Sequence, residues 1–206
     1  MITLHHLNRS RSRRIIWLLE ELAVEYQIKA YQRNAETSLA PAELKQVHPL
    51  GKSPVIEEDG KVIAESGAIT EYLIEKYAPE TLAPARGTED YIDYLQWLHF
   101  AESSAMLPLL LRMFLQRDGA KTERLEEYAQ LEAGKVLGFF DESLTGKTYL
   151  VGEKLSGADI MMSFIVGVLD QTGAIAAFKN LPAYRAQLKT HAGFVRAEEL
   201  EQEHEV

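Results

Sequence analysis

The sequence predicts an α/β domain followed by an all-helical domain. Strand and helix periodicities alternate over about the first 80 residues, a segment rich in proline and glycine follows, and the apolar spacing after it is that of helices. We therefore assign residues 1–79 to the first domain, 80–87 to a linker and 88–206 to the helical domain.

The first domain begins with a strand, a helix and a second strand. Polar and apolar residues alternate over Ile2–Leu7 and again over Glu25–Arg33, as they do in strands. The segment between them carries the apolar stripe of a helix at Ile15, Leu18, Leu19 and Leu22. Two strands joined by one helix over about 32 residues predict a βαβ unit with parallel strands.

The remainder of the first domain contains a short helix, a hairpin and a longer helix. The short helix falls within Pro41–Pro54, where prolines mark its start and its end. Asp59-Gly60, between two short strand patterns, is a strong signal for a β-hairpin. Ser66 is expected to cap a helix that runs toward Pro79, which completes the order β-α-β-α-β-β-α.

The second domain shows helical spacing throughout. A long helix begins near Tyr91, and Pro108 predicts a kink within it. Further helical patterns cover Thr122–Leu144, Gly157–Leu169 and Pro182–Thr190.

The segment "LSGADI" places a serine and an aspartate just before an apolar helix. Ser156 and Asp159 are three residues apart, which is the spacing of a reciprocal capping box. Leu155 and Ile160 are placed to form the accompanying hydrophobic staple. We therefore expect this pair to support the fold rather than to take part in chemistry.

Charge and composition argue against several functional classes. A formal net charge of -9 argues against a general nucleic-acid binder, which needs a basic face to neutralise phosphates. The chain has no cysteine, which excludes disulfides and a protein thiol nucleophile, so any thiol chemistry must use the sulfur of a ligand. The histidines show no pair at metal-binding helical spacing with an acidic partner, and we predict no metal site.

The apolar runs do not predict a membrane segment. The longest run, Ile160–Leu169, is about half the length of a membrane-spanning helix. The N-terminal run is short and interrupted by two histidines, unlike a signal peptide. We expect a cytoplasmic protein that binds neither membranes nor nucleic acids.

Four arginines lie where the first helix begins, at positions 9, 11, 13 and 14. Cations at a helix N-terminus are unfavourable by about 0.3–1 kcal/mol each unless an anion offsets them. An anionic ligand or buried carboxylates could do so. We expect Arg14 to pair with carboxylates of the helical domain, and Arg9 and Arg11 to border a pocket or to remain solvated.

Four segments carry a resemblance to a known family: "SRSRRIIWLLEEL", "HPLGKSPVIE", "IAESGAITEYL" and "YLVGEKLSGADIMMSF". In this order and spacing they resemble the cytosolic glutathione transferases, and most of all a subgroup from fungi and bacteria with "SR…R…WLLEEL" after the first strand. The resemblance implies a thioredoxin-like first domain that binds glutathione as co-substrate. It also implies a helical domain with a pocket for a hydrophobic electrophile, a homodimer and a role in detoxification.

The family places a thiol-activating hydroxyl just after the first strand, and Ser10 lies at this position. A free thiol has a pKa near 8.5, so a hydroxyl donor and a helix N-terminus beside the sulfur would favour the thiolate. The residues alone also fit a simple helix cap by Ser10 or Ser12. Asn8 and Ser12 are the alternatives to Ser10 as the activating residue.

Five further residues match glutathione-binding positions of the family. The resemblance implies a cis peptide bond before Pro54, with the backbone of Ser53 pairing to the cysteinyl part of glutathione. Lys52 would reach a glutathione carboxylate. Ser66 would hold the γ-glutamyl carboxylate and Glu65 its ammonium group, at a strand-to-helix junction whose free N–H groups favour an anion.

The pocket for the electrophile is assigned to Ser103, Met106 and Leu110, which share one face of the predicted long helix. The leading function is conjugation of glutathione to electrophilic small molecules. The alternatives are a glutathione-dependent peroxidase or disulfide reductase at the same site, and a non-catalytic binding protein with the same fold.

Overall fold

The structure is a computed structural model that describes residues 1–119 and 121–204. The strands are β1 (Ile2–Leu7), β2 (Tyr26–Tyr31), β3 (Val55–Glu58) and β4 (Lys61–Ala64). The helices are α1 (Ser12–Leu22), α2 (Leu44–Val47), α3 (Ser66–Tyr77), α4 (Glu89–Glu102), α5 (Met106–Asp118), α6 (Arg124–Ser143), α7 (Gly157–Gln171), α8 (Leu181–Leu188) and α9 (Ala192–Glu203). A short 3-10 helix covers Ala174–Ala177.

The strands form one sheet in the order β2-β1-β3-β4. β1 runs parallel to β2, with Ile2 opposite Tyr26, and this confirms the predicted βαβ unit. β3 is antiparallel to both β1 and β4. The hairpin between β3 and β4 turns at Asp59 and Gly60, whose φ angles of 51° and 78° suit a tight hairpin turn.

The chain forms two compact units, Met1–Ala83 with Leu188–Val206 and Pro84–Gln187. We call them the first and the second unit. The first unit therefore takes residues from the end of the chain, which the sequence-based division had placed with the helical domain. The reason is α9, a helix that the sequence analysis did not predict and that packs against α1.

Aromatic packing joins α9 to α1. The ring of Phe194 meets the ring of Trp17 edge to face, with 5.0 Å between their centroids. Both side chains are buried. An edge-to-face pair of this kind adds about 0.5–1.5 kcal/mol to the burial of the two rings. The apolar stripe of α1 thus packs inside the first unit. Trp17, on the same helix, adds a contact to α9 near the end of the chain.

The long helix predicted from Tyr91 onward is interrupted. α4 ends at Glu102 and α5 begins at Met106, so the prediction of one helix kinked at Pro108 is wrong. Pro108 is the third residue of α5. In that first turn an N–H group has no partner within the helix, so a proline costs no backbone hydrogen bond.

The second unit is anchored by the N-terminus of α7. Ser156 and Asp159 form the reciprocal capping box that their spacing predicts. The fully buried carboxylate of Asp159 also accepts hydrogen bonds from the N–H of Leu150 at 2.9 Å and the hydroxyl of Tyr184 at 2.9 Å. Burial raises the pKa of Asp159, although these donors act in the opposite direction.

No helix in the described part of the chain is long and apolar enough to cross a bilayer.

Candidate active site

The loop from β1 to α1 places Ser10 at the N-terminus of α1. Arg11 already has helical backbone angles, with φ −65° and ψ −7°, so Ser10 occupies the capping position. The Oγ atom of Ser10 accepts a hydrogen bond from the N–H of Ser12 at 3.2 Å. Ser10 therefore caps α1 through its oxygen, and its hydroxyl proton remains for a second hydrogen bond.

Ser12 lies directly behind Ser10 and is fully buried. Its Oγ atom is 2.7 Å from Ser10 Oγ, 2.7 Å from His6 Nδ1 and 3.3 Å from the carbonyl oxygen of Leu7. Burial lowers the pKa of His6 to about 4, and the charge of His204 contributes in the same direction. The imidazole of His6 is therefore neutral at pH 7. These three partners occupy Ser12 and favour Ser10 as the hydroxyl that meets a ligand.

Asn8 is turned toward the end of β2. Its Oδ1 atom accepts a hydrogen bond from the N–H of Arg33 at 3.0 Å, and its carbonyl oxygen accepts one from Arg33 Nε at 3.1 Å. Burial, together with the charge of Arg11, lowers the pKa of Arg33. These contacts give Asn8 a role in fixing the loop. They support Ser10 over Asn8 as the activating residue.

The arginines of α1 meet different partners. Arg13 pairs with two carboxylates of α9, Glu198 at 3.4 Å and Glu201 at 3.3 Å. We expected Arg14 to pair with carboxylates of the helical domain, and this pairing stays a prediction. Arg13 reaches its two carboxylates because α9, which the sequence did not predict, packs against α1. The buried Arg14 donates from Nη2 to the Oγ atom of Ser66 at 2.6 Å.

The N-terminus of α3 lies beside Arg14. The prediction that Ser66 caps α3 is wrong, because Ser66 is the first helical residue and Glu65 is the N-cap. Glu65 has φ 68° and ψ 113°, a conformation that costs a non-glycine residue about 1–3 kcal/mol. The N–H groups at the N-terminus of α3, beside the hydroxyl of Ser66, are suited to an anion.

The loop before β3 is tied to β1 by Ser53. The Oγ atom of Ser53 donates to the carbonyl oxygen of His5 at 2.8 Å and accepts from the N–H of Leu7 at 3.1 Å. The peptide bond between Ser53 and Pro54 is cis, as the resemblance implies. Lys52, the residue before Ser53, is exposed. Ser53 is thus held at the end of β1, from which the chain continues to Ser10.

The residues assigned to the electrophile pocket do not share one helix. Ser103 is exposed and follows α4, and its hydroxyl donates to the carbonyl oxygen of His99 at 2.8 Å. Met106 is buried at the start of α5, and Leu110 is half-buried further along the same helix. The common face that grouped them required a continuous helix and is therefore wrong.

A cavity of about 310 Å³ lies among α4, α5 and α6 in the second unit. Ser103, Met106 and Leu110 do not line it. Its apolar lining includes Phe100, Leu107, Pro108, Leu111, Tyr128 and Phe139. Within residues 1–119 and 121–204, no cluster of three or more histidine, aspartate or glutamate side chains is arranged to hold a metal ion.

Comparison with known proteins identifies the family. Residues 1–75 match the model of the glutathione S-transferase N-terminal domain, and residues 101–191 match that of the C-terminal domain. Glutathione S-transferase 1 of Saccharomyces cerevisiae is 35% identical over 213 residues, which cover 92% of this chain and 89% of the yeast protein. The chain belongs to the glutathione S-transferase family.

Other members of the family are similar over most of their length. Glutathione S-transferase 3 of Schizosaccharomyces pombe is 35% identical over 181 residues, covering 80% of this chain and 72% of that protein. The crystal structure of a glutathione S-transferase from Actinobacillus pleuropneumoniae is 37% identical, with a TM-score of 0.88 and coverage of 98% of this chain and 93% of that one. The fold of this family member is thus the one that the sequence motifs implied.

His6 is a residue beside the candidate site that the sequence motifs did not indicate. The sequence feature that could have indicated it is the pair His5-His6. Adjacent side chains of a strand point to opposite faces of the sheet, so these two histidines meet different partners. His5 Nδ1 lies 2.8 Å from the Tyr31 hydroxyl, and its Nε2 lies 3.0 Å from the carboxylate of Glu57. His6 contacts Ser12 instead. The imidazole of His6 is therefore connected to the candidate site, whereas His5 meets it through its backbone carbonyl, which accepts from Ser53.

Proposed function

We propose that this glutathione S-transferase binds glutathione, stabilises its thiolate and conjugates it to electrophilic small molecules. The observation that carries the proposal is Ser10, a buried hydroxyl at the N-terminus of α1 whose oxygen already accepts an N–H and whose proton can be turned to a ligand. The thiol of glutathione loses its proton to water. The thiolate then attacks an electrophilic carbon, and the new S–C bond forms as the leaving group departs with its bonding electrons.

The size of the effect follows from the hydrogen bond. A hydrogen bond to a charged acceptor stabilises by about 1.5–3 kcal/mol. Since one pKa unit corresponds to about 1.36 kcal/mol, Ser10 would lower the pKa of the bound thiol by about 1–2 units from 8.5. The N-terminus of α1 acts in the same direction.

The N-terminus of α3 is the proposed site of the γ-glutamyl end. The carboxylate would accept hydrogen bonds from Ser66 and the first N–H groups of α3, beside the guanidinium of Arg14. Glu65 would bind the ammonium group, and its strained backbone conformation supports this role because such strain gathers at ligand sites. Ser53 would pair with the cysteinyl backbone, and the exposed Lys52 would reach a second carboxylate.

Three further assignments remain part of the proposal. Ser103, Met106 and Leu110 are the proposed contacts to the electrophile, individually rather than as one helical face. The active form is proposed to be a cytoplasmic homodimer. Residues 80–87 are proposed to link the glutathione-binding domain to the helical one.

The test is an ultraviolet titration of glutathione bound to the wild type, to Ser10→Ala and to Ser143→Ala. Ser143 lies on α6, where its hydroxyl donates to the carbonyl oxygen of Phe139, and it provides a matched serine control. We expect a thiol pKa well below 8.5 in the wild type and in Ser143→Ala, and a pKa about 1–2 units higher in Ser10→Ala. The kcat/KM toward a chloronitrobenzene should fall about 10- to 100-fold in Ser10→Ala below pH 7.

Other outcomes would favour other functions. A low thiol pKa in Ser10→Ala would move the role to Asn8 or Ser12. Turnover of a hydroperoxide but not of the chloronitrobenzene would favour the peroxidase. Glutathione that binds as the neutral thiol without turnover would indicate a binding protein, and failure to bind glutathione would refute the proposal.

A further inference from the structure

His6 is a buried titratable residue that the proposed chemistry does not use. It lies on β1, its side chain is fully buried, and its Nδ1 atom is 2.7 Å from the Oγ atom of Ser12. Among the described residues its Nε2 atom has no hydrogen-bond partner. The short contact to Ser12, which in turn lies 2.7 Å from Ser10, places the imidazole two hydrogen bonds from the proposed thiolate donor.

The contacts of Ser12 determine where the protons lie. A hydroxyl has one proton and can accept two hydrogen bonds. Its Oγ atom is near three partners, and one of them, the carbonyl oxygen of Leu7, can only accept. When the proton of Ser12 points to Leu7, both His6 Nδ1 and the hydroxyl of Ser10 must donate to Ser12. The neutral imidazole then carries its proton on Nδ1.

The opposite tautomer would keep the proton of Ser10 on Ser12 in every state. With the proton on Nε2, the Nδ1 atom accepts the hydroxyl of Ser12, and Ser12 must in turn accept the hydroxyl of Ser10. Ser12 could not then turn its own proton to Ser10, so Ser10 could donate to a ligand only by leaving its contact with Ser12 without a proton. The buried Nε2–H would also lack an acceptor in the described part of the chain, which is unfavourable for a buried donor.

The structure assigns His6 and Ser12 as positioning residues. The Nδ1–H of His6 holds Ser12 so that the hydroxyl of Ser10 can turn from Ser12 and donate to the thiolate. This inference rests on the proposed function of Ser10. On thiolate formation the hydroxyl of Ser12 turns from Leu7 to the Oγ atom of Ser10. His6 keeps donating to Ser12, so that no hydroxyl in the chain is left without a partner.

The rotation strengthens the donor that meets the sulfur. In the thiolate state Ser10 accepts from both the N–H and the hydroxyl of Ser12 and donates through its own proton. Hydrogen bonds in such a chain polarise one another. The electron density withdrawn through Ser12 makes the hydroxyl of Ser10 a better donor than it would be alone.

The first measurement is the tautomer of His6 in the intact protein without glutathione. The two ring nitrogens of a neutral histidine have distinct nitrogen-15 chemical shifts that depend on which one is protonated. We expect the His6 signals, assigned by their loss in His6→Asn, to show Nδ1–H at pH 7. An Nε2–H tautomer would overturn the inference while leaving the proposed role of Ser10 in place.

The second measurement is the pKa of the bound glutathione thiol in four variants: His6→Phe, His6→Asn, Ser12→Ala and the double variant His6→Phe/Ser12→Ala. His6→Phe keeps an aromatic ring but removes the donor, and we expect about 3- to 10-fold less thiolate at pH 6.5, a smaller loss than in Ser10→Ala. His6→Asn restores an N–H near Nδ1 and should recover most of the thiolate. In the Ser12→Ala background the His6→Phe change should have no further effect.

The pattern separates the inference from the proposal on which it rests. Equal effects of His6→Phe in the presence and absence of Ser12 would overturn the inference, since His6 would then act by another route. If Ser10→Ala also left the thiol pKa unchanged, the proposed function itself would fail. If His6→Phe does not fold, the tautomer of the wild type and the thiolate content of His6→Asn still decide the inference.

Discussion

Replacing His6 by asparagine should remove a specific acid sensitivity from the first unit. The fold holds this imidazole neutral, with a pKa of about 4 against 6.5 for an unperturbed histidine. Between these values the unfolded chain binds a proton that the folded protein does not. The corresponding stability is fully present above pH 6.5 and is lost as the pH falls toward 4.

The magnitude follows from the two pKa values. A difference of one pKa unit corresponds to about 1.36 kcal/mol, so the full difference between the folded and unfolded states is about 3 kcal/mol. Proton linkage gives a loss of about 2 kcal/mol in the free energy of unfolding between pH 7.5 and pH 5. His6→Asn cannot bind this proton, so its free energy of unfolding should fall by about 2 kcal/mol less than that of the wild type over the same interval.

The assay is urea unfolding at pH 7.5 and pH 5, followed by tryptophan fluorescence. Trp17 lies on α1 and reports on the first unit. His99→Asn, at an exposed position on α4, is the matched control and should show the pH dependence of the wild type. The reasoning would be refuted if His6→Asn and the wild type lost the same stability, because the imidazole would then titrate alike in the folded and unfolded states.

Three further predictions concern other parts of the structure. Asp159→Ala should lower the free energy of unfolding by about 3–5 kcal/mol, because it leaves buried donors such as the hydroxyl of Tyr184 without an acceptor. Equilibrium unfolding measures this loss. The kcat per folded molecule should be unchanged. Arg13→Met should cost about 0.5–1 kcal/mol at low salt and less at 1 M salt, because its ion pairs with α9 are partly exposed; a loss independent of salt would contradict an ionic role. Glu65→Gly should raise the free energy of unfolding by about 1 kcal/mol, because glycine adopts the positive φ without strain. The same change should weaken glutathione binding measured by calorimetry. An unchanged affinity would show that Glu65 does not belong to the binding site.

Local patterns in the sequence predicted most of the first unit. The alternation in β1 and β2 and the stripe on α1 are properties of neighbouring residues, and they gave the parallel βαβ unit. The turn at Asp59-Gly60 and the capping box at the start of α7 are equally local. Each of these features depends on residues only a few positions apart, so no tertiary information is needed to recognise them.

Features that depend on distant contacts were missed or misplaced. α9 has few buried side chains, chiefly Phe194 and Ala197, among many charged residues, so its apolar stripe is weak. Its position comes from packing on Trp17 rather than from its own pattern. The break between α4 and α5 was missed because apolar residues continue across it, and the proline signal pointed to the wrong place.

In the candidate site, too, local features could be predicted from the sequence and contacts between distant residues could not. Ser10 could be found because a serine between a strand and a helix is a local motif. The contact of Arg14 with Ser66 joins residues 52 positions apart, and the sequence alone suggested a cap for Ser66 instead. The role of His6 depends on which hydroxyl the fold places against one ring nitrogen, and no spacing rule encodes this.

The packing of α9 on α1 also sets the order in which the polypeptide can complete its units during synthesis. Pro84–Gln187 is one continuous stretch and contains the whole second unit, whereas the first unit needs residues from both ends of the chain. At about 5–20 residues per second, Trp17 leaves the ribosome roughly 10–35 seconds before Phe194 is available to cover it. The apolar face of α1 is therefore fully enclosed only after the residues of the second unit have been synthesised.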